Sequence, residues 1–162
     1  VGNFDRAEAA EFLRNVRTAM TLADRMLVGI DLRKDRAILE PAYDDSQGVT
    51  AEFNRNLLVR INRELSGHFD LETFSHRAVY NERIGRIEMY LVSTCPQRVH
   101  IEDLHLEVQF TAGEAIHTEN SYKYSLAEID ALAAAAGFQI ERQWFDAEGR
   151  FSVNVLAPKP HA

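Results

Sequence analysis

The chain has 162 residues, 46% hydrophobic and 27% charged, which by length reads as one globular domain able to bury roughly 70% of its unfolded surface. Its formal net charge of −7 argues against a nucleic-acid backbone or an anionic membrane as partner, and no apolar run approaches bilayer length. The single cysteine, Cys95, forms no internal disulfide, and no charged-then-apolar leader precedes the first helix; both fit a cytoplasmic location.

Residues 5–20 predict a helix, with Ala9, Phe12, Leu13, Val16 and Met20 on one stripe and Asp5 as its cap. Residues 25–32 form a continuous apolar strand, the pattern of a strand covered on both faces in a parallel sheet. Residues 50–65 predict a second helix, with Phe53, Leu57, Ile61 and Leu65 in line and Gly67 near its end. The period then changes. Residues 78–81, 86–94 and 99–110 read as antiparallel strands, with Leu104, Leu106, Val108 and Phe110 facing in and His105, Glu107 and Gln109 facing water. Ser125 and Glu128 form a capping box for a third helix that Gly137 terminates. Residues 138–145 and 151–157 predict a hairpin across Asp146-Ala147-Glu148-Gly149, followed by a frayed tail.

The eight glycines are scattered, so the chain has no Gly-rich turn between a strand and a helix and no phosphate cradle. Asp31, at the end of the first strand, reads as a residue that turns the chain. His100, Glu102, His105 and Glu107 lack metal-ligand spacing and read as a wet sheet face, while His68, His76, His117 and His161 are dispersed. Cys95 has no basic neighbour before Arg98 to activate it.

Four stretches carry a more specific signal. They are residues 29–65, with their Gly-Ile-Asp-Leu strand end, Ala-Tyr-Asp-Asp turn and helix bearing Asn54 and Asn56; Arg-Ile-Glu-Met-Tyr-Leu at 86–91; Thr-Glu-Asn-Ser-Tyr-Lys-Tyr at 118–124; and the closing helix and hairpin. Together they resemble the histidine-specific Nα-methyltransferases of ergothioneine biosynthesis. The resemblance implies the C-terminal half of such an enzyme, whose intact form moves methyl groups from S-adenosyl-L-methionine to the α-amine of L-histidine, ending at the trimethylated betaine.

It also implies site residues. Asn3 matches the end of a loop that contacts the amino acid's backbone end, and Tyr43 matches a tyrosine that holds its carboxylate and amine. Met89 matches a methionine lining the pocket, and Glu119 and Ser121 match the pair that binds the imidazole. Glu119 and Ser121 are two apart on a predicted strand and share a side, so one can accept a ring N–H while the other serves the second nitrogen. Taken without the resemblance, Asn3 is a turn or helix-cap residue, Tyr43 a half-buried core tyrosine, Met89 core filling, and Glu119 with Ser121 a solvated strand end.

The expected fold is α/β, the C-terminal part of a Rossmann-like methyltransferase with an inserted antiparallel α+β substrate-binding subdomain. Residues 1–42 and 122–162 would belong to the methyltransferase sheet, and residues 43–121 to the insertion. The cofactor loop would lie before Val1, so the chain alone is expected to be inactive, with residues 25–32 exposed as a sheet edge open to self-association. Two other readings stand: a related N-methyltransferase acting on a tryptophan-type amine, or a non-catalytic ligand-binding or assembly module of the same ancestry.

Overall fold

The computed structural model describes residues 1–160; His161 lies outside them. The described residues form four α-helices and eight strands. The helices are α1 (Arg6–Thr18), α2 (Arg36–Tyr43), α3 (Val49–Glu64) and α4 (Leu126–Ala135). The strands are β1 (Met26–Asp31), β2 (Phe74–Asn81), β3 (Arg86–Ser93), β4 (Gln97–Ile101), β5 (Leu106–Phe110), β6 (Ala115–Tyr122), β7 (Phe138–Phe145) and β8 (Phe151–Pro158). The fold is α/β with antiparallel sheets ordered β1-β8-β7, β2-β3-β6 and β4-β5. The chain divides into two compact units, one from Val1–Asp35, Glu82–Arg86 and the segment starting at Asn120, the other from Arg36–Asn81 and Ile87–Glu119.

In the first unit, α1 and α4 bury Ala9, Leu13, Ile129, Leu132 and Ala133 with Val28 and Ile30 of β1 and Leu32 just after it. Asp5 opens α1, its N–H donating to Glu8 Oε2 at 2.9 Å. The buried α1 stripe is Ala9, Ala10 and Leu13. Phe12 lies outside it and stacks on Phe4. The capping box of α4 forms as predicted: Ser125 Oγ accepts from the Glu128 N–H and Glu128 Oε2 accepts from the Ser125 N–H. The closing hairpin also forms, and β8 pairs antiparallel with β1 on one side and β7 on the other. The tail is held as far as Lys159: Pro158 still pairs with Phe138, and the Lys159 N–H donates to Gly137 O.

The expectation that β1 is covered on both faces fails among the described residues. Val28 and Ile30 are buried, but Leu27 on the other face is 68% exposed. A continuous apolar run does not distinguish one covered face from two. On that open face the Phe151 ring lies over Gly29, where a Cβ would meet it at 2.8 Å.

In the second unit, α3 packs Leu58, with Ile61 and Leu65 beside it, against Phe69, Phe74, Leu91, Val99, Ile101 and Phe110. The predicted stripe through Phe53 and Leu57 is therefore displaced, and Phe53 is 67% exposed. Steps of four residues walk around a helix at about 40° each. The line that stays on one face is 54, 58, 61, 65, and Asn54 hides it by being polar. The predicted strand over 99–110 is a hairpin: β4 and β5 pair with His100 opposite Glu107. Residues Glu102–Leu104 form a 3₁₀ turn, and His105 takes a left-handed φ of 49° that reverses the chain. Leu104 and Leu106 are consequently exposed. Helix α2 occupies residues to which the sequence assigns no element and ends on the first two residues of the Ala-Tyr-Asp-Asp turn.

Glu128 also anchors two arginines. Arg33 grips it through Nε at 2.9 Å and an amino group at 2.7 Å, and Arg6 adds a contact at 3.1 Å. Gly85, at φ +75°, leaves space for the Arg33 guanidinium; a Cβ there would lie 2.3 Å from its carbon. The Arg33 hydrogen bonds outweigh burial and hold the Glu128 carboxyl at about 2, against an ordinary 4.5. A depressed carboxyl stabilises the fold above its unfolded pKa and loses that contribution as pH falls through the folded one. Glu128→Gln should therefore cost about 1–2 kcal/mol at neutral pH, allowing for partial solvent screening. The gap from wild type should close as pH falls from 4.5 toward 2, as measured by urea denaturation over that range.

Candidate functional site

At the C-terminal end of β1, the first unit gathers charge. Lys123 is only 1% exposed. Its Nζ lies 2.8 Å from Asp31 Oδ2 and donates to Ser121 Oγ at 2.9 Å. Lys34 Nζ takes the other carboxylate oxygen at 2.5 Å. Burial alone would raise the Asp31 carboxyl, but the hydrogen bonds and charges of Lys123 and Lys34 outweigh it and hold it below its usual range. Asp31 is thus the partly exposed partner of a buried lysine, and the reading of it as a turning residue is corrected.

The segment at the start of the chain runs alongside. Gly2 O accepts from the Tyr122 N–H at 2.7 Å, which sets the exposed Asn3 beside the residue that follows Ser121. The Tyr122 hydroxyl donates to the Asp5 carboxylate and accepts from Arg86 at 2.7 Å. The unit therefore brings Asn3 and Ser121 to neighbouring places.

The second unit holds Tyr43, Met89 and Glu119. Met89 is 3% exposed in a cluster with Leu39, Tyr80 and Ile87, and Tyr43 packs against that cluster. Two of the three are therefore together. Tyr43 is also fixed by its backbone: His76 Nε2 donates to Tyr43 O at 2.8 Å, and His76 Nδ1 accepts from Asn54 Nδ2 at 2.9 Å. These partners assign His76 the tautomer with its proton on Nε2. Asn54 Nδ2 donates as well to Tyr90 O at 3.1 Å. Asp45, the last residue of the Ala-Tyr-Asp-Asp motif, caps α3 by accepting from the Val49 and Thr50 N–H groups at 3.1 and 2.8 Å. The Thr50 bonds hold its carboxyl at about 2.

Glu119 lies elsewhere in this unit. It borders a groove of about 220 Å³ whose other wall is α3, through Phe53, Asn54, Asn56 and Arg60. Strand β6 runs unbroken through both Glu119 and Ser121. Among the described residues no cluster of His, Cys, Asp and Glu is arranged to hold a metal.

Sequence reasoning missed Lys123, Asn54 and His76. Lys123 was within reach, because it continues the two-residue alternation from Glu119 and Ser121. Asn54 stands in the motif of the helix over 50–65 without a task assigned to it, and His76, which precedes the strand predicted over 78–81, reads only as one of the dispersed histidines.

A family model for histidine-specific, S-adenosylmethionine-dependent methyltransferases matches residues 1–158, and the chain belongs to that family. It is 43% identical over 155 residues to a histidine N-alpha-methyltransferase of Mycolicibacterium smegmatis, covering 96% of this chain and 48% of that protein. It is 44% identical over 157 residues to a protein of the same name from Mycobacterium tuberculosis, covering 97% and 49%. An ergothioneine biosynthesis protein 1 of Schizosaccharomyces pombe is 27% identical over 157 residues, covering 96% of this chain and 20% of that protein. The chain spans about half the length of the two mycobacterial relatives.

Asn54→Ala should leave the His76 ring nitrogen and the Tyr90 carbonyl without this partner in a half-buried place. The expected loss is about 1–3 kcal/mol, read from the urea midpoint. It should exceed that of Asn56→Ala, on the exposed side of the same helix.

Proposed function

We propose that this chain is the substrate-reading part of an S-adenosyl-L-methionine-dependent enzyme that methylates the α-amine of L-histidine. The observation that carries the reading is the family match over residues 1–158 together with strand β6, which bears Glu119 and Ser121 two residues apart. S-adenosylmethionine supplies an electrophilic methyl group. No residue of this chain is assigned to hold it, since the chain has no Gly-rich strand-to-helix turn.

The work of these residues is recognition. A zwitterionic amino acid can be gripped by a neutral amide and a phenol, Asn3 and Tyr43, without added charge. Met89, in the apolar cluster against which Tyr43 packs, would back the bound amino acid. Glu119 accepts a ring N–H and Ser121 serves the second ring nitrogen. An indole offers one N–H and no acceptor nitrogen, so this pair favours histidine over a tryptophan-type amine. Methyl transfer requires the amine to be aligned and unprotonated, and the chain needs only to position it.

In the full gene product, Glu119→Ala should lower kcat/KM for histidine roughly ten- to a hundredfold, the effect of losing a hydrogen bond to a charged acceptor. Ser121→Ala should cost less, and tryptophan should suffer less than histidine from Glu119→Ala. Methylation kinetics on both amino acids decide this; an unchanged histidine kcat/KM in Glu119→Ala would remove the reason for naming histidine.

The β1 edge carries a second proposal. β1 ends the order β1-β8-β7; its last residue is covered by Tyr124, but before it the edge is open among the described residues, and an open edge strand is a template for another chain. This chain, produced alone, should self-associate through it; a monomer by light scattering at high concentration would count against that.

A further inference from the structure

We infer that Lys123 is a positioning residue that fixes the direction of the Ser121 hydroxyl, so that Ser121 acts as a hydrogen-bond donor to its ligand and selects a ring nitrogen that carries no proton. This rests on the reading of Ser121 as an imidazole contact. The Lys123 ammonium is 1% exposed and only donates. Its approach to Ser121 Oγ at 2.9 Å therefore occupies an oxygen lone pair and turns the hydroxyl proton away from Nζ. The ammonium is itself fixed, because Asp31 holds it at 2.8 Å, and Asp31 is fixed in turn by Lys34 at 2.5 Å. A freely rotating serine both donates and accepts. One held against a buried ammonium presents its proton. Such a serine fits the bare nitrogen of a neutral imidazole and opposes an imidazolium, a pyrrole-type N–H or a ring C–H at that point.

The consequence is that discrimination on the ring depends on a residue that need not touch the ligand. The test compares histidine with the pyrrolylalanines, which keep one ring N–H and lack the acceptor nitrogen, using the full gene product. Wild type should prefer histidine. Ser121→Ala should reduce that preference about threefold to tenfold, the scale of one neutral hydrogen bond. Lys123→Met should reduce it by a similar factor, mainly through KM. The double variant should be no worse than Ser121→Ala alone, since Lys123 acts through Ser121. Asp31→Asn with Lys123→Met removes both charges of the pair together and leaves Lys34 a partner, which keeps the comparison open if Lys123→Met alone does not fold. A folded Lys123 variant that retains full discrimination, or losses that multiply in the double variant, would overturn the inference while leaving the Ser121 reading intact. Undiminished discrimination in Ser121→Ala would instead remove that reading and the inference with it.

Discussion

A fully buried ammonium is tolerated only when its charge and its protons are matched, because desolvation would otherwise cost several kcal/mol. Lys123 meets that condition through Asp31 and Ser121, and the requirement organises the first unit. It ties the segment after β6 to the end of β1, where Tyr124 also exchanges backbone hydrogen bonds with Asp31 and Arg33. One residue further on, Ser125 caps α4, and Glu128 in the first turn collects Arg33 and Arg6. Two charge clusters therefore fix the strand end and the helix start that share the Tyr122–Tyr124 core. Removing one partner of such a set is more damaging than replacing the set by apolar groups.

The second unit solves a similar problem without charge. The Asn54 amide links α3 to a backbone carbonyl of β3 and, through His76 of β2, to the end of α2. Four elements, α2, α3, β2 and β3, are pinned by groups whose donors and acceptors alternate. Asp45 adds a carboxylate where α3 begins, which gives the Ala-Tyr-Asp-Asp motif a structural task in addition to any role of Tyr43 in binding.

The elements legible in sequence were those whose ends carry their own chemistry. The Ser125–Glu128 box, Gly137 and the Asp146–Gly149 turn each satisfy local hydrogen bonds, so α4 and the β7–β8 hairpin follow from a few residues. Elements set by tertiary packing were harder. The buried line of α3 contains Asn54, and no hydrophobicity pattern ranks an asparagine as core. α2 carries Pro41 and runs into Asp44-Asp45, and both suggest a turn. The β4–β5 reversal depends on His105 in a left-handed conformation, which a non-glycine residue rarely signals. At the candidate site the alternation of Glu119 and Ser121 was readable, and the same alternation contains Lys123. Its burial was not readable, because that depends on Asp31, a residue distant in sequence.

The open face of the β1-β8-β7 sheet has an optical consequence. Trp144 is the single tryptophan of the chain. It is 45% exposed, aligned with Val153 and Gly29 across the sheet, with the Arg142 guanidinium over its ring at 5.6 Å. Its emission is therefore a single-site probe of that face. Water beside the indole keeps the emission red-shifted, and any helix, second copy or neighbouring domain that settles on Leu27 and Phe151 would shift it to the blue. Nothing needs to be attached to the protein to follow the event.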